Sequence, residues 1–175
     1  YDVSGYSGDV IFTYNGSDKY NSSLFVSDLV VDTIQTDMGL SFASDAIVGD
    51  VVEITVELNG EDNINATVIL YIDNLAYDVA VVNGVGKFNF TPAVNGTFYV
   101  WAEYLGDYRY VGCDSGDYRT LNVRMVDTNL VVDVVNSDTI YVGDVVVISV
   151  DLKDEEGNPL NATVALRVNE SLYYV

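Results

Sequence analysis

The chain has 175 residues, and its 27 Asp and Glu against 7 Lys and Arg give a formal net charge of −20. A charge of this sign repels phosphate backbones and anionic lipid surfaces, which argues against a nucleic-acid partner and against electrostatic docking to a membrane. The absence of His and the presence of one Cys exclude Ser-His and Cys-His nucleophiles, and a disulfide framework, within these residues.

The first 31 residues predict the two closing strands of a β domain. They hold an alternating apolar strand, a polar turn and a second strand. The alternating positions are Val10, Phe12 and Tyr14, the turn is 15–20, and the second strand is 23–31. The same order of features returns downstream, so that Tyr14 matches Tyr104 and Lys19-Tyr20 matches Arg109-Tyr110.

A complete set of strands is predicted between residues 32 and 126. A long first strand reaches Ile47, a Gly-Asp turn follows, and Asn83-Gly84 is a strong hairpin signal between two later strands. The remaining strands are predicted at 48–58, 65–72, 77–82, 86–90, 98–104 and 119–126. Alternation predicts inward faces made of Val52, Ile54, Val56 and Leu58, of Ala66, Val68, Leu70 and Ile72, and of Phe98, Val100, Ala102 and Tyr104. The sequence therefore predicts an all-β domain of seven strands.

The strand at 48–58 returns 94 residues later at 142–152, with Val146, Ile148, Val150 and Leu152 on its inner face. Asp127-Thr128 likewise repeats Asp32-Thr33, and four strands of a further unit then run to residue 175. The predicted domains are therefore the end of one unit at 1–31, a complete unit at 32–126, and the start of another at 127–175.

The two terminal pieces together would form one unit that lacks roughly its fifth strand. Each piece alone exposes a core face and unpaired strand edges. The preferred interpretation is that the chain belongs to a longer array of such units. The alternative is that the N-terminal piece of one molecule completes the C-terminal piece of the next by strand complementation.

The sequence at 96–107 reads GTFYVWAEYLGD and is followed by Tyr110, and it is preceded by Val48-Gly49-Asp50 and by a strand that begins Asn65-Ala66-Thr67-Val68. This pattern resembles the bacterial and archaeal Ig-like repeat family, and its acidic, Tyr-rich form most resembles the adhesin-like surface proteins of methanogenic archaea. The resemblance implies tandem immunoglobulin-like β-sandwich domains in Greek-key order, on an extracellular cell surface. One departure is Gly-Ser-Asp at 16–18 in place of Gly-Asp, which we expect to alter the turn only.

The predicted function is that of a non-enzymatic structural element, such as a stalk, fibre or sheath. The expected partners are copies of the chain itself or further repeats, with no nucleic acid. No apolar run reaches the roughly 18 residues of a membrane-spanning helix, so no membrane insertion is expected in this segment. The alternative is an adhesin that binds a surface glycan or a partner through outward aromatic residues on neighbouring strands, namely Tyr71, Tyr99 and Trp101.

Seven Asn-x-Ser/Thr acceptors occur, at Asn15, Asn21, Asn65, Asn89, Asn95, Asn161 and Asn169. Glycans at several of them would place the protein outside the cell. Asn and Thr also favour turns and strand starts, and this preference explains part of the number of acceptor sequences. Asn89 lies within a predicted strand, so a glycan there must point outward.

The acidic turns supply oxygen atoms of the kind that bind calcium, and Asp107, Asp114 and Asp117 are the candidates in the last turn of the complete unit. No EF-hand spacing is present, and solvated turns are the preferred interpretation. No other cofactor is expected. The sequence leaves the role of Cys113 open.

Overall fold

The computed structural model describes residues 8–135 and 139–175 of the chain. These residues form fifteen strands and no helix, which confirms the predicted all-β class. Consequently no helix within the described ranges has the length and apolarity to cross a membrane. The chain divides into two compact units, 1–124 and 125–175, and each is described by itself below.

The first unit contains a hairpin and a large sheet. The hairpin strands are β1 (Gly8–Tyr14) and β2 (Ser23–Leu29). The sheet strands are β3 (Asp37–Ser41), β4 (Asp45–Ile47), β5 (Val52–Asn59), β6 (Ala66–Ile72), β7 (Leu75–Val82), β8 (Val85–Phe90), β9 (Gly96–Gly106), β10 (Val111–Asp114) and β11 (Arg119–Arg124). The second unit contains β12 (Thr128–Val135), β13 (Val147–Asp154), β14 (Ala165–Val168) and β15 (Ser171–Tyr174).

The large sheet has the strand order β3-β5-β8-β7-β6-β9-β11-β4, and β10 also pairs with β9. Its narrowest connection lies between β7 and β8, which pair only at Val81↔Gly86 and Val82↔Val85. The predicted Asn83-Gly84 turn closes this hairpin, and both residues have positive φ angles, 53° and 82°. The sheet curls about this connection, so that side chains from both of its halves share one core.

The core contains most of the inward residues that the alternation predicts, together with residues of other strands. Val52, Ile54, Val56 and Leu58 of β5 are 5%, 0%, 0% and 1% exposed. On the opposite half, the core takes side chains from β6, β9 and β11, namely Val68, Leu70, Ile72, Val100, Ala102, Tyr104, Leu121 and Val123. Each fully buried Val, Ile or Leu side chain contributes about 1.5–3 kcal/mol of burial free energy. Ile64, which precedes β6, is also buried and was not singled out from the sequence.

The predicted long first strand is in fact two strands. β3 pairs antiparallel with β5, whereas β4 pairs parallel with β11 at the far edge of the sheet. The chain crosses between the two edges at 42–44, and Phe42 packs against the core there. The Arg119 guanidinium donates a hydrogen bond to the Leu40 carbonyl, which ties β11 to the end of β3. The crossing supplies an edge partner to each half of the curled sheet.

The predicted last strand at 119–126 corresponds to β11, and the structure adds a short strand, β10, in the predicted loop before it. The two strands are separated at 115–118, where the Ala102 N–H donates to Ser115 Oγ at 3.0 Å and the Ser115 N–H donates to the Ala102 carbonyl at 2.9 Å. Ser115 thus continues the ladder along β9 while the residues after it bulge outward. The division of the first strand and the added β10 account for nine strands where the sequence predicts seven.

The β1–β2 hairpin is a regular antiparallel pair running from Tyr14↔Ser23 to Gly8↔Leu29. Large apolar side chains on it lie exposed, including Phe12 at 64% and Phe25 at 61%. An isolated two-stranded ribbon buries little apolar surface and is marginal in water. These residues therefore resemble part of a core without its remaining strands.

In the second unit, β12 pairs with β13 and β14 pairs with β15, each antiparallel. Ile148, Val150 and Leu152 are half-buried on β13, as the alternation predicts. Val146 lies outside the strand and is 38% exposed, so the predicted inward face includes only three of its four residues. The next strand, β14, begins at Ala165.

Candidate functional site: an aromatic face on strands 6 and 9

An aromatic face lies where β6 and β9 run side by side. Tyr71 and Trp101 are direct partners in the antiparallel register, and their ring centroids are 4.6 Å apart at an edge-on angle of 68°. Both residues alternate with buried residues of their strands, so their side chains point away from the core. Edge-to-face pairs of this kind contribute about 0.5–1.5 kcal/mol beyond their buried area.

A carboxylate fixes the Tyr71 ring. The Tyr71 hydroxyl donates to Glu103 Oε1 at 2.6 Å, across the same two strands. This hydrogen bond, together with partial burial and the negative charge of Glu103, raises the pKa of Tyr71. The hydrogen bond to Glu103 therefore orients the ring. Glu103 was not singled out from the sequence.

The bulge between β10 and β11 adds a third aromatic ring, Tyr118. Its ring centroid lies 6.2 Å from that of Trp101 and 6.5 Å from that of Tyr99. Tyr118 thus connects Tyr99, which contacts no other ring of the face, to the Tyr71–Trp101 pair. Sequence reasoning missed Tyr118 because it lies in the loop before the last predicted strand, and its orientation depends on the Ser115 pairing.

The turn between β6 and β7 closes one side of the face. The Tyr99 N–H donates to Asp73 Oδ1 at 2.8 Å, and the Asp73 N–H donates to the Tyr99 carbonyl at 2.8 Å. An open groove of about 510 Å³ results, lined by Asp73, Asn74, Tyr99 and Tyr118. The groove offers aromatic rings for stacking beside a carboxylate and an amide.

The seven candidate glycosylation residues are all exposed, including Asn89, the penultimate residue of β8. One of them also has a structural contact, since Asn65 Oδ1 accepts the Asn83 N–H at 2.8 Å. This bond braces the β7–β8 turn from the residue that precedes β6. The amide nitrogen of Asn65, to which a glycan would attach, is not the atom used in that bond.

Two of the three calcium candidates accept hydrogen bonds within their own turns. Asp107 Oδ1 accepts the N–H groups of Arg109 and Tyr110, each at 2.8 Å, and these bonds hold the pKa of Asp107 below its usual range. Asp114 Oδ1 accepts the Gly116 N–H at 2.8 Å, and Asp117 is exposed. Across residues 8–135 and 139–175 no three His, Cys, Asp or Glu side chains converge to hold a metal ion.

Cys113 lies half-buried on β10 and packs against the core. Burial is the main cause that raises the pKa of its thiol, so at neutral pH the group is a thiol rather than a nucleophilic thiolate. The nearby Tyr104 is 6% exposed, and its hydroxyl has no hydrogen-bond partner. Both groups belong to the packing beneath the last turn.

No protein-family model matches this chain, and no curated protein is similar to it.

Proposed function

We propose that the chain is a non-enzymatic structural segment of an extracellular cell-surface protein, built from immunoglobulin-like β-sandwich domains arranged end to end. Such a segment serves as part of a stalk, fibre or sheath. In this proposal residues 32–126 form a complete domain, 1–31 close the domain before it and 127–175 open the domain after it. The observation that carries the proposal is that turns of the complete domain recur, with the same geometry, in both flanking pieces.

The turn after β9 recurs after β1. Gly106 and Gly16 have φ angles of 81° and 84°. The Asp107 N–H donates to the Tyr110 carbonyl at 2.9 Å, and the Ser17 N–H donates to the Tyr20 carbonyl at 2.8 Å. In each turn the preceding cation, Arg109 or Lys19, lies 5.5 Å from the centroid of the tyrosine ring. Ser17 thus takes the place of the Asp in the repeat pattern and the turn is retained.

Two turns of the complete domain recur in the C-terminal piece. Gly49 and Gly143 have φ angles of 91° and 99°, and each is followed by an Asp whose N–H donates to a carbonyl three residues back at 3.1 Å. Asp73 and Asn169, which close the β6–β7 and β14–β15 hairpins, have φ angles of 52° and 53°. Independent turns would not be expected to agree in position, conformation and hydrogen bonding.

The strand arrangement supports the immunoglobulin-like assignment. That fold places strands A, B and E in one sheet and strands C, F and G in the other. Here β3-β5-β8 and β6-β9-β11 hold those places, and the strand pairing that links the two sets runs through the two residue pairs of the β7–β8 connection. The crossing from β3 to β4 then corresponds to a first strand shared between the two sheets.

Electron microscopy of the purified chain tests the structural function. End-to-end association of a marginal flanking piece with a neighbour predicts elongated particles or filaments. A population of compact single particles at all concentrations would contradict the proposal. Intact-mass measurement of the native protein tests the extracellular location, since the seven exposed acceptors predict added hexose-containing mass.

The second candidate function is an adhesin module, and the groove beside Tyr99 and Tyr118 favours it. Stacked aromatic rings next to a carboxylate suit the apolar faces and hydroxyl groups of sugars. Trp101 is the single Trp of the chain, so its fluorescence reports directly on this face. We expect neutral oligosaccharides to change the Trp101 fluorescence in a saturable way. The adhesin function is supported if this fluorescence change is lost in Tyr118→Ala and kept in the exposed control Tyr108→Ala.

A further inference from the structure

The groove on the aromatic face of the large sheet, lined by Asp73, Asn74, Tyr99 and Tyr118, has the shape of a corner. The Tyr99 and Tyr118 rings stand at 81° to each other, with their centroids 6.5 Å apart. The negative π faces of the two rings therefore form two walls of the groove. A flat sugar ring stacks on one such wall at a time, whereas a compact rounded group touches both.

The charge beside this groove is negative. Its lining includes one carboxylate, Asp73, and no Lys or Arg. Arg119 is adjacent to Tyr118 in the sequence, but its guanidinium lies 5.6 Å from the centroid of the Phe42 ring and donates to the Leu40 carbonyl. Arg119 is thereby held at the crossing from β3 to β4. The formal charge of −20 on the whole chain adds a long-range attraction for cations.

The turn between β6 and β7 does not require the charge of Asp73. Asp73 has a φ angle of 52°, and its Oδ1 accepts the Tyr99 N–H at 2.8 Å. An Asn adopts the same left-handed conformation and carries an equivalent oxygen. Asn169, with a φ angle of 53°, closes the β14–β15 hairpin in this way. The negative charge of Asp73 is therefore additional to the turn, and it lies beside the groove that Asp73 lines.

The two tyrosine rings are exposed but held in place. Tyr99 and Tyr118 are 53% and 65% exposed, so neither belongs to the core. The Tyr99 backbone is fixed by its two hydrogen bonds with Asp73. The Tyr118 ring packs beside Trp101, with the ring centroids 6.2 Å apart. A site whose parts are positioned before the ligand arrives loses less conformational entropy on binding.

We propose that this groove binds a quaternary ammonium group, with the methyl groups against the Tyr99 and Tyr118 rings and the positive charge beside Asp73. Aromatic faces attract a cation through their quadrupoles, and quaternary ammonium ligands are recognised in this way. A primary ammonium or a guanidinium also needs oxygen acceptors for its N–H groups, and one oxygen of Asp73 already accepts the Tyr99 N–H. A trimethylammonium group has no N–H, so two rings and one carboxylate are sufficient. This inference goes beyond both proposed functions, neither of which needs a charged ligand.

Titration of the full chain with choline tests the inference, with sodium chloride at equal ionic strength as the salt control. The matched ligand is the uncharged isostere of choline, in which carbon replaces the nitrogen. We expect choline to bind about 10-fold more tightly, because the rings and Asp73 attract the charge and the two ligands have the same shape. Proton NMR of the ligand methyl groups measures binding, since nearby aromatic rings shift their signal upfield. Trp101 fluorescence provides a second readout.

Matched variants locate the site. Asp73→Asn keeps the oxygen that accepts the Tyr99 N–H, and it should weaken choline binding about 3–10-fold while the affinity for the isostere stays the same. Tyr118→Leu removes a π face and should weaken choline binding by a similar factor, whereas Tyr118→Phe should retain it. Tyr108→Leu is the control, because Tyr108 is 75% exposed and does not line the groove. Every variant should keep the unfolding transition of the large sheet.

Several outcomes would overturn the inference. They are the absence of choline binding, equal affinity for choline and its isostere, and unchanged choline binding in Asp73→Asn and Tyr118→Leu. Tighter binding of methylguanidinium or butylammonium than of choline would also overturn it, since the occupant would then be an Arg or Lys side chain of a partner. Binding of neutral oligosaccharides without binding of choline would overturn it and leave the adhesin function standing.

Discussion

Gly106 and Gly16 adopt the same left-handed conformation in corresponding turns, and in both a Cβ atom would collide with the backbone. At Gly106 the added atom would lie 2.6 Å from the Gly112 nitrogen, and at Gly16 it would lie 2.9 Å from the Ser22 nitrogen. The Gly in the AEYLGD pattern is thus required by the turn. The same holds for Asp107, whose carboxylate accepts two N–H groups of that turn.

Gly106→Ala should destabilise the large sheet by about 2–4 kcal/mol, because left-handed strain and a backbone collision act together. The matched control is Gly49→Ala, where φ is also positive at 91° but no atom lies within 4 Å of the added Cβ. The control should cost only about 1 kcal/mol of strain. Urea unfolding of both variants measures the difference, and equal losses would show that the collision is relieved by a backbone shift.

Asn65 should have a structural role that is separable from glycosylation. Asn65→Ala removes the oxygen that accepts the Asn83 N–H and should cost about 1 kcal/mol in unfolding free energy. Thr67→Ala destroys the same glycosylation sequence but keeps the Asn65 oxygen. Its loss of unfolding free energy should therefore be smaller. Measuring both variants in protein made without glycosylation isolates the hydrogen bond. A larger loss in Thr67→Ala would contradict this role for Asn65.

Trp101→Ala should weaken the complete domain by about 1–3 kcal/mol, since it removes two ring contacts and a half-buried side chain. Tyr108→Ala is the control, because Tyr108 is 75% exposed and should change stability little. Thermal unfolding compares the two variants. If Trp101→Ala left stability unchanged while it abolished binding or assembly, the aromatic face would serve recognition alone.

The sequence predicts the parts of this fold that depend on local pattern. Period-two alternation identified the inward residues of β5, β6 and β9, and Asn83-Gly84 identified the β7–β8 turn, because both signals are read from neighbouring residues. The crossing at 42–44 was missed, since the choice of a second edge partner depends on where β11 lies. Tyr118 was missed for the same reason, because its position depends on how Ser115 pairs with Ala102.

The stability of the large sheet should fall as the pH rises above 10, and Tyr104 should be the cause. Burial, together with the negative charge of Asp107, raises the pKa of Tyr104 from 10.0 to about 12. A folded-state pKa above the unfolded one means that the folded state binds the proton more tightly. The contribution of the protonated Tyr104 hydroxyl to the free energy of unfolding is therefore fully present below pH 10. It is lost as the pH rises from 10 to about 12.

Tyr104→Phe removes the titrating hydroxyl and keeps the ring in the core. Because that hydroxyl is buried without a partner, we expect the variant to be as stable as the parent at pH 7 or slightly more stable. The parent should lose up to about 2–3 kcal/mol relative to the variant by pH 12. Urea unfolding at pH 8, 10 and 11 in both proteins measures the difference, and parallel pH profiles would rule out Tyr104 as the cause.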